Sequence, residues 1–393
     1  MPDLPMLSYG RQSIDESDIA AVVSVLRGQL LTCGPAVEAF EAAICQVSGA
    51  AHAVAVANGT CALRLAYQVA GIGPGSVVGV PAMTFVATAS QALLLGAQVV
   101  LLDVDPLTGN LGPEQLAACT QPLSHLVAVH VAGRLCDLAG LSAICQQRGI
   151  ALIEDASHAF GSTWDDGGRC GDGRHGSLAA TFSFHPVKNI TTAEGGAIVT
   201  NDAQAAARLR SLRHHGIIRD PGQWQGALAA ADGNSPWYHE FHAPSQNDRL
   251  SDLHAALGFS QCQRLHAFKA ARQAIHERYA TALASLPGLH APAAAPGQQP
   301  FWHLCAISGD WSALGRSRAA AVAALQAQGI APQVHYIPLH QQPICAACPR
   351  AAALAGADAF YQTVLSLPCY PDLSDADQQR VISALTELAR QER

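Results

Sequence analysis

Short apolar runs, rich in β-branched residues, alternate along the first 200 positions with longer alanine-rich stretches of helical periodicity. The short runs predict strands at residues 53–57, 77–80, 99–103, 126–130, 150–155, 181–184 and 196–200. The longer stretches predict helices at residues 15–26, 36–47, 61–70 and 85–94. Continuous apolar strands joined by helices are typical of an α/β fold, with a mainly parallel sheet between helices. Ligands bind such sheets at the carboxyl ends of the strands.

The pattern changes after about residue 201, where helices become longer and loops richer in Gly, Pro and Ala. Helices are predicted at residues 203–214, 251–283 and 317–328, a strand at 302–308, and an extended segment at 332–336. This smaller α+β part predicts a second domain. We therefore predict a large domain at residues 1–248, a small C-terminal domain at 249–393, and a hinge in the helix at 251–283.

Composition excludes several classes of protein. Of the 393 residues 49% are hydrophobic and 13% charged, so most of the chain should be packed. A net charge of −7 without a basic run argues against a nucleic acid or an anionic membrane as partner. No apolar run reaches the length of about 18 residues that a membrane span needs. The start lacks a signal-peptide pattern, so we expect a cytoplasmic protein with reduced thiols.

One cysteine pair, Cys345 and Cys348, has the CxxC spacing of metal and redox sites. A structural zinc site needs four ligands, usually from two such pairs, and the chain has no second CxxC. The pair also lies far from the start of a βαβ unit, where a thioredoxin-type motif belongs. We expect no metal site.

Only two of the 23 lysine and arginine residues are lysines, Lys188 and Lys269. A Schiff base with an aldehyde needs a primary amine that can lose its proton, which a guanidinium group does not do. Lys188 lies among apolar, hydroxylic and small residues, a setting that lowers the pKa of an amine by desolvation. Lys269 lies in an ordinary helical stretch. Lys188 is thus a candidate nucleophile, the alternative being a retained surface lysine.

Polar residues follow several predicted strands. Asn58, Gly59 and Thr60 join a strand to a helix N-terminus, where free N–H groups favour an anion, although a simple cap has the same pattern. Asp155 ends an apolar strand and fits either a pyridinium nitrogen or a helix cap. Ser183 ends another strand near Lys188 and could bind the same anion. Phe85 could stack on a flat ring or pack in the core. Together these groups meet the four needs of pyridoxal phosphate.

The same residues resemble the nucleotide-sugar aminotransferases of the DegT/DnrJ/EryC1/StrS family. The motifs that carry the resemblance are residues 58–60, 84–88, 154–161, 183–188 and 194–196. The resemblance implies a fold-type-I transferase that binds pyridoxal phosphate in an active site shared across a homodimer. It makes Lys188 the Schiff-base lysine and Asp155 the partner of the pyridine nitrogen. The further cofactor-binding residues would be Gly59, Thr60, Phe85, His158, Ser183 and Asn247.

The resemblance implies that Asn247 reaches the phosphate of the neighbouring subunit. The family usually has aromatic residues beside this asparagine, whereas this chain has Gln246 and Asp248. His158 and His185 are expected to orient an oxygen of the cofactor or substrate rather than to act as the base.

Within the family, residues 9–12, 31–35, 129–133, 214–221 and 333–338 look most like the branch that acts on pseudaminic acid precursors. The implied substrate is a UDP-linked 4-keto-6-deoxy-N-acetylhexosamine, with L-glutamate as donor and 2-oxoglutarate as product. Cys33 departs from a glutamine common in that branch. The implied substrate-binding residues are Tyr9, Gln29, Leu30, Leu31, Thr32, His185, Gln333, Val334, His335 and Tyr336.

Three other functions stay open. The sibling branch that makes 4-amino-4-deoxy-L-arabinose is expected to show Leu-His-Phe where this chain has Val334, His335 and Tyr336. A sugar dehydratase on the same fold would carry histidine in place of Lys188. A non-catalytic regulator would have lost Lys188 or Asp155, and this chain retains both.

Overall fold

The computed structural model describes residues 6–390, in which strands and helices alternate over the first two hundred positions. The strands of this part are β1 (Leu7–Ser8), β2 (His52–Val56), β3 (Val77–Pro81), β4 (Gln98–Leu102), β5 (His125–Val129), β6 (Ala151–Asp155), β7 (Thr163–Trp164), β8 (Ala179–Ser183) and β9 (Gly196–Thr200). The helices are α1 (Glu16–Leu26), α2 (Pro35–Ser48), α3 (Gly59–Val69), α4 (Ala87–Leu94), α5 (Pro113–Ala118) and α6 (Leu138–Arg148). The elements predicted here are confirmed, with ends shifted by at most two residues.

The remaining part is richer in helices. Its helices are α7 (Ala203–Leu212), α8 (Ala229–Asp232), α9 (Asp252–Gln263), α10 (Leu265–Leu283), α11 (Arg318–Ala327), α12 (Ala355–Thr363) and α13 (Asp375–Arg390). Its strands are β10 (Ile217–Ile218), β11 (Glu240–Phe241), β12 (Leu289–His290), β13 (Gln298–Gln299), β14 (Cys305–Gly309), β15 (Ile330–Ala331) and β16 (Val364–Leu367).

A seven-stranded sheet of order β2-β9-β8-β6-β5-β3-β4 forms the centre of the larger part. Strand β9 runs in the direction opposite to the other six strands, so the sheet is mainly parallel, as predicted. Both faces are covered, because alternate residues of β5 such as Leu126 and Val127 belong to different apolar clusters. The strands β2, β3, β5, β6 and β8 all end at the same edge, which brings the polar residues that follow them together.

The predicted single helix at residues 251–283 is wrong, because the structure has two helices that meet at Arg264. The Arg264 guanidinium forms ion pairs with Asp15 and Asp18 at the start of α1, at 2.9 Å for Asp15. It also donates to the carbonyl oxygen of Ser13 at 3.2 Å. The side chain is thereby held against the first turn of α1, where α9 ends. Helix α9 packs against α1 and α2, and α10 packs against α13.

The C-terminal part has its own three-stranded antiparallel sheet, β12-β14-β16, and its own apolar cluster. Strand β1 pairs in parallel with β15, and Leu7 is buried in this C-terminal cluster. The first described residues are therefore attached to the C-terminal part, and the ring of Tyr9 contacts that of His335. The division at residues 248 and 249 stays a prediction. Within residues 6–390, no helix combines the length and hydropathy that a membrane span requires.

Candidate active site

A cavity of about 320 Å³ lies at the edge where β2, β3, β5, β6 and β8 end. Its wall brings together residues far apart in the chain, from the large sheet and from the segment after β15. Of the residues predicted from the sequence, it contains Tyr9, Gly59, Thr60, Phe85, Asp155, His158, Ser183, His185, Lys188, His335 and Tyr336. Their roles remain predictions that this shared position supports.

Lys188 lies in the loop between β8 and β9 and faces the cavity. Burial lowers the pKa of its amine to about 8, although the nearby Asp155 carboxylate opposes this shift. The Arg272 guanidinium, buried in α10, donates to the carbonyl oxygens of Lys188 at 3.4 Å and of His303 at 3.1 Å. Arg272 thus ties the backbone of the lysine loop to the C-terminal part. The result is an amine with a pKa closer to neutral pH than that of an ordinary lysine, on a backbone that is held in place.

Asp155 is 4% exposed and accepts three hydrogen bonds. The Thr88 hydroxyl donates to Oδ2 at 2.7 Å. The Ser157 hydroxyl and backbone N–H donate to Oδ1 at 2.6 and 3.2 Å. The Thr84 and Thr88 hydroxyl groups are 2.8 Å apart and extend this network. These donors fix the position and direction of the Asp155 carboxylate at the cavity wall.

The start of α3 lies beside Ser183 and has the geometry of an anion site. The Asn58 side chain caps the helix by accepting from the N–H of Cys61 at 2.9 Å. The N–H groups of Gly59 and Thr60 precede the first intrahelical bond and stay free for a ligand. A Cβ at position 59 would lie 2.9 Å from the Cβ of Ser183, so only glycine allows this close approach.

His158 and Tyr336 form a hydrogen-bonded pair in the cavity, with 2.9 Å between Nε2 and the hydroxyl oxygen. The backbone N–H of Ala132 donates to His158 Nδ1 at 3.3 Å. Burial and the charge of Lys188 hold the pKa of His158 well below its ordinary value, so the ring is neutral. With Nδ1 as acceptor, Nε2 carries the proton and donates to Tyr336. The Tyr336 hydroxyl can then donate a hydrogen bond to a ligand in the cavity.

Aromatic rings form another part of the wall. Phe85 is 55% exposed although it lies beside a packed core, and its ring centroid is 6.0 Å from that of Tyr336. The Tyr9 ring meets the His335 ring edge-on, with 4.9 Å between centroids. His335 Nδ1 is 2.9 Å from the Ser366 hydroxyl, and burial lowers the pKa of His335 to about 3. A flat ligand thus meets apolar ring surfaces and a neutral imidazole.

Two groups of the predicted site residues lie outside this wall. Val334 packs into the apolar clusters, and the Gln333 side chain accepts from the N–H of Val334 at 2.9 Å. Along this extended segment His335 and Tyr336 instead face the cavity. The second group is exposed and consists of Gln29, Leu30, Leu31, Thr32 and Asn247.

Sequence reasoning missed several residues that shape the site. Thr88 and Ser157 bond to Asp155, Arg272 holds the lysine loop, and Glu194 lines the cavity. The four-residue spacing of Thr84 and Thr88 places both hydroxyls on one side of the chain at the start of α4. Nothing in the sequence near Arg272 indicates its contact with a loop more than eighty positions earlier.

A buried cluster of His130, Glu154 and Cys170 lies behind the cavity, with possible ligand atoms within 4.8 Å of one another. His130 Nδ1 accepts from the N–H of Cys136 at 3.0 Å, and Nε2 is 3.0 Å from Glu154. The other oxygen of Glu154 accepts from Ser177. Because these donors and acceptors already have protein partners, we assign no metal to the cluster.

The residues of the cavity fit pyridoxal phosphate. Lys188 offers an amine to its aldehyde, Asp155 a carboxylate to its ring nitrogen, and the turn at residues 58–60 a cradle for its phosphate. Phe85 offers a stacking face. With the mainly parallel sheet and the smaller C-terminal part, this site defines a fold-type-I pyridoxal-phosphate transferase.

The chain belongs to the DegT/DnrJ/EryC1/StrS aminotransferase family, whose model matches residues 12–386. It is similar to S. venezuelae DesV, solved with a ketimine intermediate, at 31% identity over 99% of this chain and 100% of that chain, with a TM-score of 0.85. It is also similar to Helicobacter pylori PseC, an aminotransferase of pseudaminic acid biosynthesis, at 26% identity over 98% and 100% of the two chains, with a TM-score of 0.87. A third similar structure is the PLP form of the putative sugar aminotransferase Spr1654 from Streptococcus pneumoniae, at 25% identity over 98% of each chain, with a TM-score of 0.86. The chain is therefore a sugar aminotransferase that uses pyridoxal phosphate.

Proposed function

We propose that this enzyme transfers an amino group from L-glutamate to C4 of a UDP-linked 4-keto-6-deoxy-N-acetylhexosamine. The proposed setting is the cytoplasmic synthesis of pseudaminic acid or a related surface glycan. The observation that carries the proposal is the convergence of Lys188 and Asp155 with Tyr9, His335 and Tyr336 at one cavity. The sequence stretches that resemble the pseudaminic acid branch, and the similarity to PseC, support the sugar.

Pyridoxal phosphate, when bound, supplies an electron sink for the carbanion that forms at the donor α-carbon. Lys188 would hold the aldehyde of the cofactor through its amine. As a free amine it would remove the proton from the donor α-carbon and, in the second half-reaction, deliver a proton to C4 of the sugar. The lowered pKa suits this work, because a base whose pKa lies near the operating pH exchanges protons readily.

Asp155 would hold the ring nitrogen of the cofactor in its protonated form, which would make the electron sink effective. Thr88 and Ser157 donate to the carboxylate and fix its direction. Tyr336 would donate a hydrogen bond to an oxygen atom of the bound cofactor or substrate, because His158 already donates to the Tyr336 oxygen. These residues would orient the bound groups and stabilise their charges, whereas Lys188 would carry out the proton transfers.

The substrate assignment predicts a clear preference. With L-glutamate, the purified holoenzyme should aminate UDP-4-keto-6-deoxy-N-acetylhexosamine with a kcat/KM at least about tenfold above that for the UDP-4-keto-pentose of the arabinose branch. Mass spectrometry of the amino sugar and an assay for 2-oxoglutarate measure both products. The matched control is the thymidine-linked analogue of the hexose, which tests the nucleotide alone. Preference for the pentose would contradict the assignment and support the sibling branch.

We further propose a homodimer with shared active sites. Asn247 is exposed and lies outside the cavity of its own chain. Leu30 and Leu31 are 54% and 46% exposed. Their segment lies beside that of Asn247, because Thr32 forms a β-bridge with Ser251. Exposed apolar side chains beside a polar residue of the site fit a two-fold contact that places both in the partner's cavity.

The shared site predicts complementation between inactive chains. Homodimers of Lys188→Ala and of Asn247→Ala should both be severely impaired, but their heterodimer should recover one working site in two. One site of the mixed dimer carries both lesions and the other carries neither. Differently tagged chains allow the heterodimer to be purified and assayed. If pure heterodimers show no recovery, each site is built within one chain.

A further inference from the structure

A charged clamp joins α3 to the segment that carries Asn247. The Arg64 guanidinium donates to both carboxylate oxygens of Asp248, at 2.6 and 2.5 Å, and also to the side-chain oxygen of Gln246. Asp248 is 3% exposed, so loss of Arg64 would leave a buried carboxylate without its main hydrogen-bond donor. Arg64 therefore contacts the residues on both sides of Asn247, whose own side chain is exposed.

The backbone on either side of the clamp is also tied to the large sheet. The N–H of Ala57 donates to the carbonyl oxygen of Asp248 at 2.8 Å, and the N–H of Asp248 donates to that of Arg213 at 2.9 Å. These bonds fix the path of the chain at Asp248. On the other side of Asn247, the N–H of His215 donates to the carbonyl oxygen of Gln246 at 3.1 Å, and Asn247 itself forms a β-bridge with His214. The backbone is therefore held on both sides of Asn247, and the clamp adds side-chain contacts that fix the same segment to α3.

We propose that Arg64 is a positioning residue for the partner's cofactor site, which it serves by holding Asn247 of its own chain in the geometry that reaches the phosphate. This inference rests on the shared active site proposed above. The clamp takes the place of the aromatic packing that the resemblance leads one to expect beside the asparagine, because Gln246 and Asp248 stand at those positions. One nitrogen of the guanidinium, Nη2, donates to both oxygens of Asp248 while Nη1 donates to Gln246, so the rigid fork holds both residues at once, which the single ammonium of lysine does not do.

Helix α3 then serves two active sites. Its N-terminus, at Gly59 and Thr60, forms the anion cradle of its own chain. Its next turn, at Arg64, supports the residue offered to the other chain. A substitution at Arg64 could therefore weaken cofactor binding in its own site through α3, or in the partner's site through Asn247. The two routes differ in which chain must carry the substitution.

Two heterodimers separate these routes, because each keeps a single Lys188. The first pairs a Lys188→Ala chain with an Arg64→Lys chain. Its one lysine-containing site has an altered α3 but receives Asn247 from a chain with an intact clamp. The second pairs a Lys188→Ala/Arg64→Lys chain with an unmodified chain. Its one lysine-containing site has an intact α3 but receives Asn247 from the altered chain.

The readout is dissociation of pyridoxal phosphate, followed by loss of the visible absorbance of cofactor bound to Lys188 on dilution. We expect dissociation to be about tenfold faster in the second heterodimer, as for a weakened hydrogen bond to a charged group. The first heterodimer should match a Lys188→Ala/unmodified reference. Faster dissociation in the first heterodimer alone, or equal rates in both, would overturn the inference.

Controls keep the outcome interpretable. Arg174→Lys alters another arginine that pairs with two carboxylates, Asp166 and Asp172, and should leave the rate unchanged in either arrangement. If Arg64→Lys fails to fold, Asp248→Asn can replace it in both heterodimers. Dissociation should again be faster only in the second heterodimer.

If the Lys188→Ala/Asn247→Ala heterodimer shows no recovery of activity, the shared site itself is wrong. If it recovers while the second heterodimer binds cofactor normally, only the role of Arg64 is wrong.

Discussion

Replacing Lys188 by arginine should abolish transamination and leave a folded protein. The guanidinium group keeps its proton at every working pH, so it neither bonds to the cofactor aldehyde nor removes the donor α-proton. Because the covalent and the acid–base roles disappear together, we expect the rate to fall by about four orders of magnitude or more. Steady-state assays with glutamate measure the loss, and the visible absorbance of the lysine-bound cofactor should disappear with it.

The other lysine of the chain is the matched control. Lys269 donates to the carbonyl oxygen of Gly161 at 3.1 Å and to the Thr163 hydroxyl at 3.3 Å, away from the cavity. Lys269→Arg makes the same chemical change and keeps the charge, so it should retain near-normal turnover. An active Lys188→Arg enzyme would show that Lys188 is not the catalytic amine.

Replacing Asp155 by asparagine should slow turnover by about a hundredfold or more while pyridoxal phosphate still binds. The neutral amide no longer holds the ring nitrogen in its protonated form, so the carbanion at the donor α-carbon is less stabilised. Single-turnover measurements of α-proton removal, with deuterated glutamate as a comparison, test this step directly. A larger isotope effect in the variant would show that proton removal has become rate-limiting.

The alternative role of Asp155 is to cap the turn that follows β6, since it accepts from the N–H of Ser157. Asp202→Asn is the control for this role, because Asp202 caps α7 by accepting from the N–H groups of Gln204 and Ala205. Both variants should lose similar, small amounts of stability in thermal unfolding. An Asp155→Asn enzyme within a few-fold of normal activity would leave Asp155 as a cap only.

Much of the candidate site is readable from local pattern. Continuous apolar runs predicted the strands, and the carboxyl ends of parallel strands share one edge, so Asp155 and Ser183 were expected to meet. The motif around Asn58 and Gly59 indicated a helix start that accepts an anion. Lys188 stood out because the chain has only one other lysine. The structure places these residues at one cavity.

The sequence by itself determined the strands, the α/β class and the chemical groups at the strand ends, because each depends on side-chain type and short-range periodicity. Only the tertiary structure decided that Thr88 would bond to Asp155, 67 positions away. It also decided that Arg264, between α9 and α10, would pair with Asp18 of α1, and that Arg64 would pair with Asp248 beside Asn247. Such partners are set by how helices and loops pack against the sheet, and a buried charge accepts any donor that this packing brings within reach.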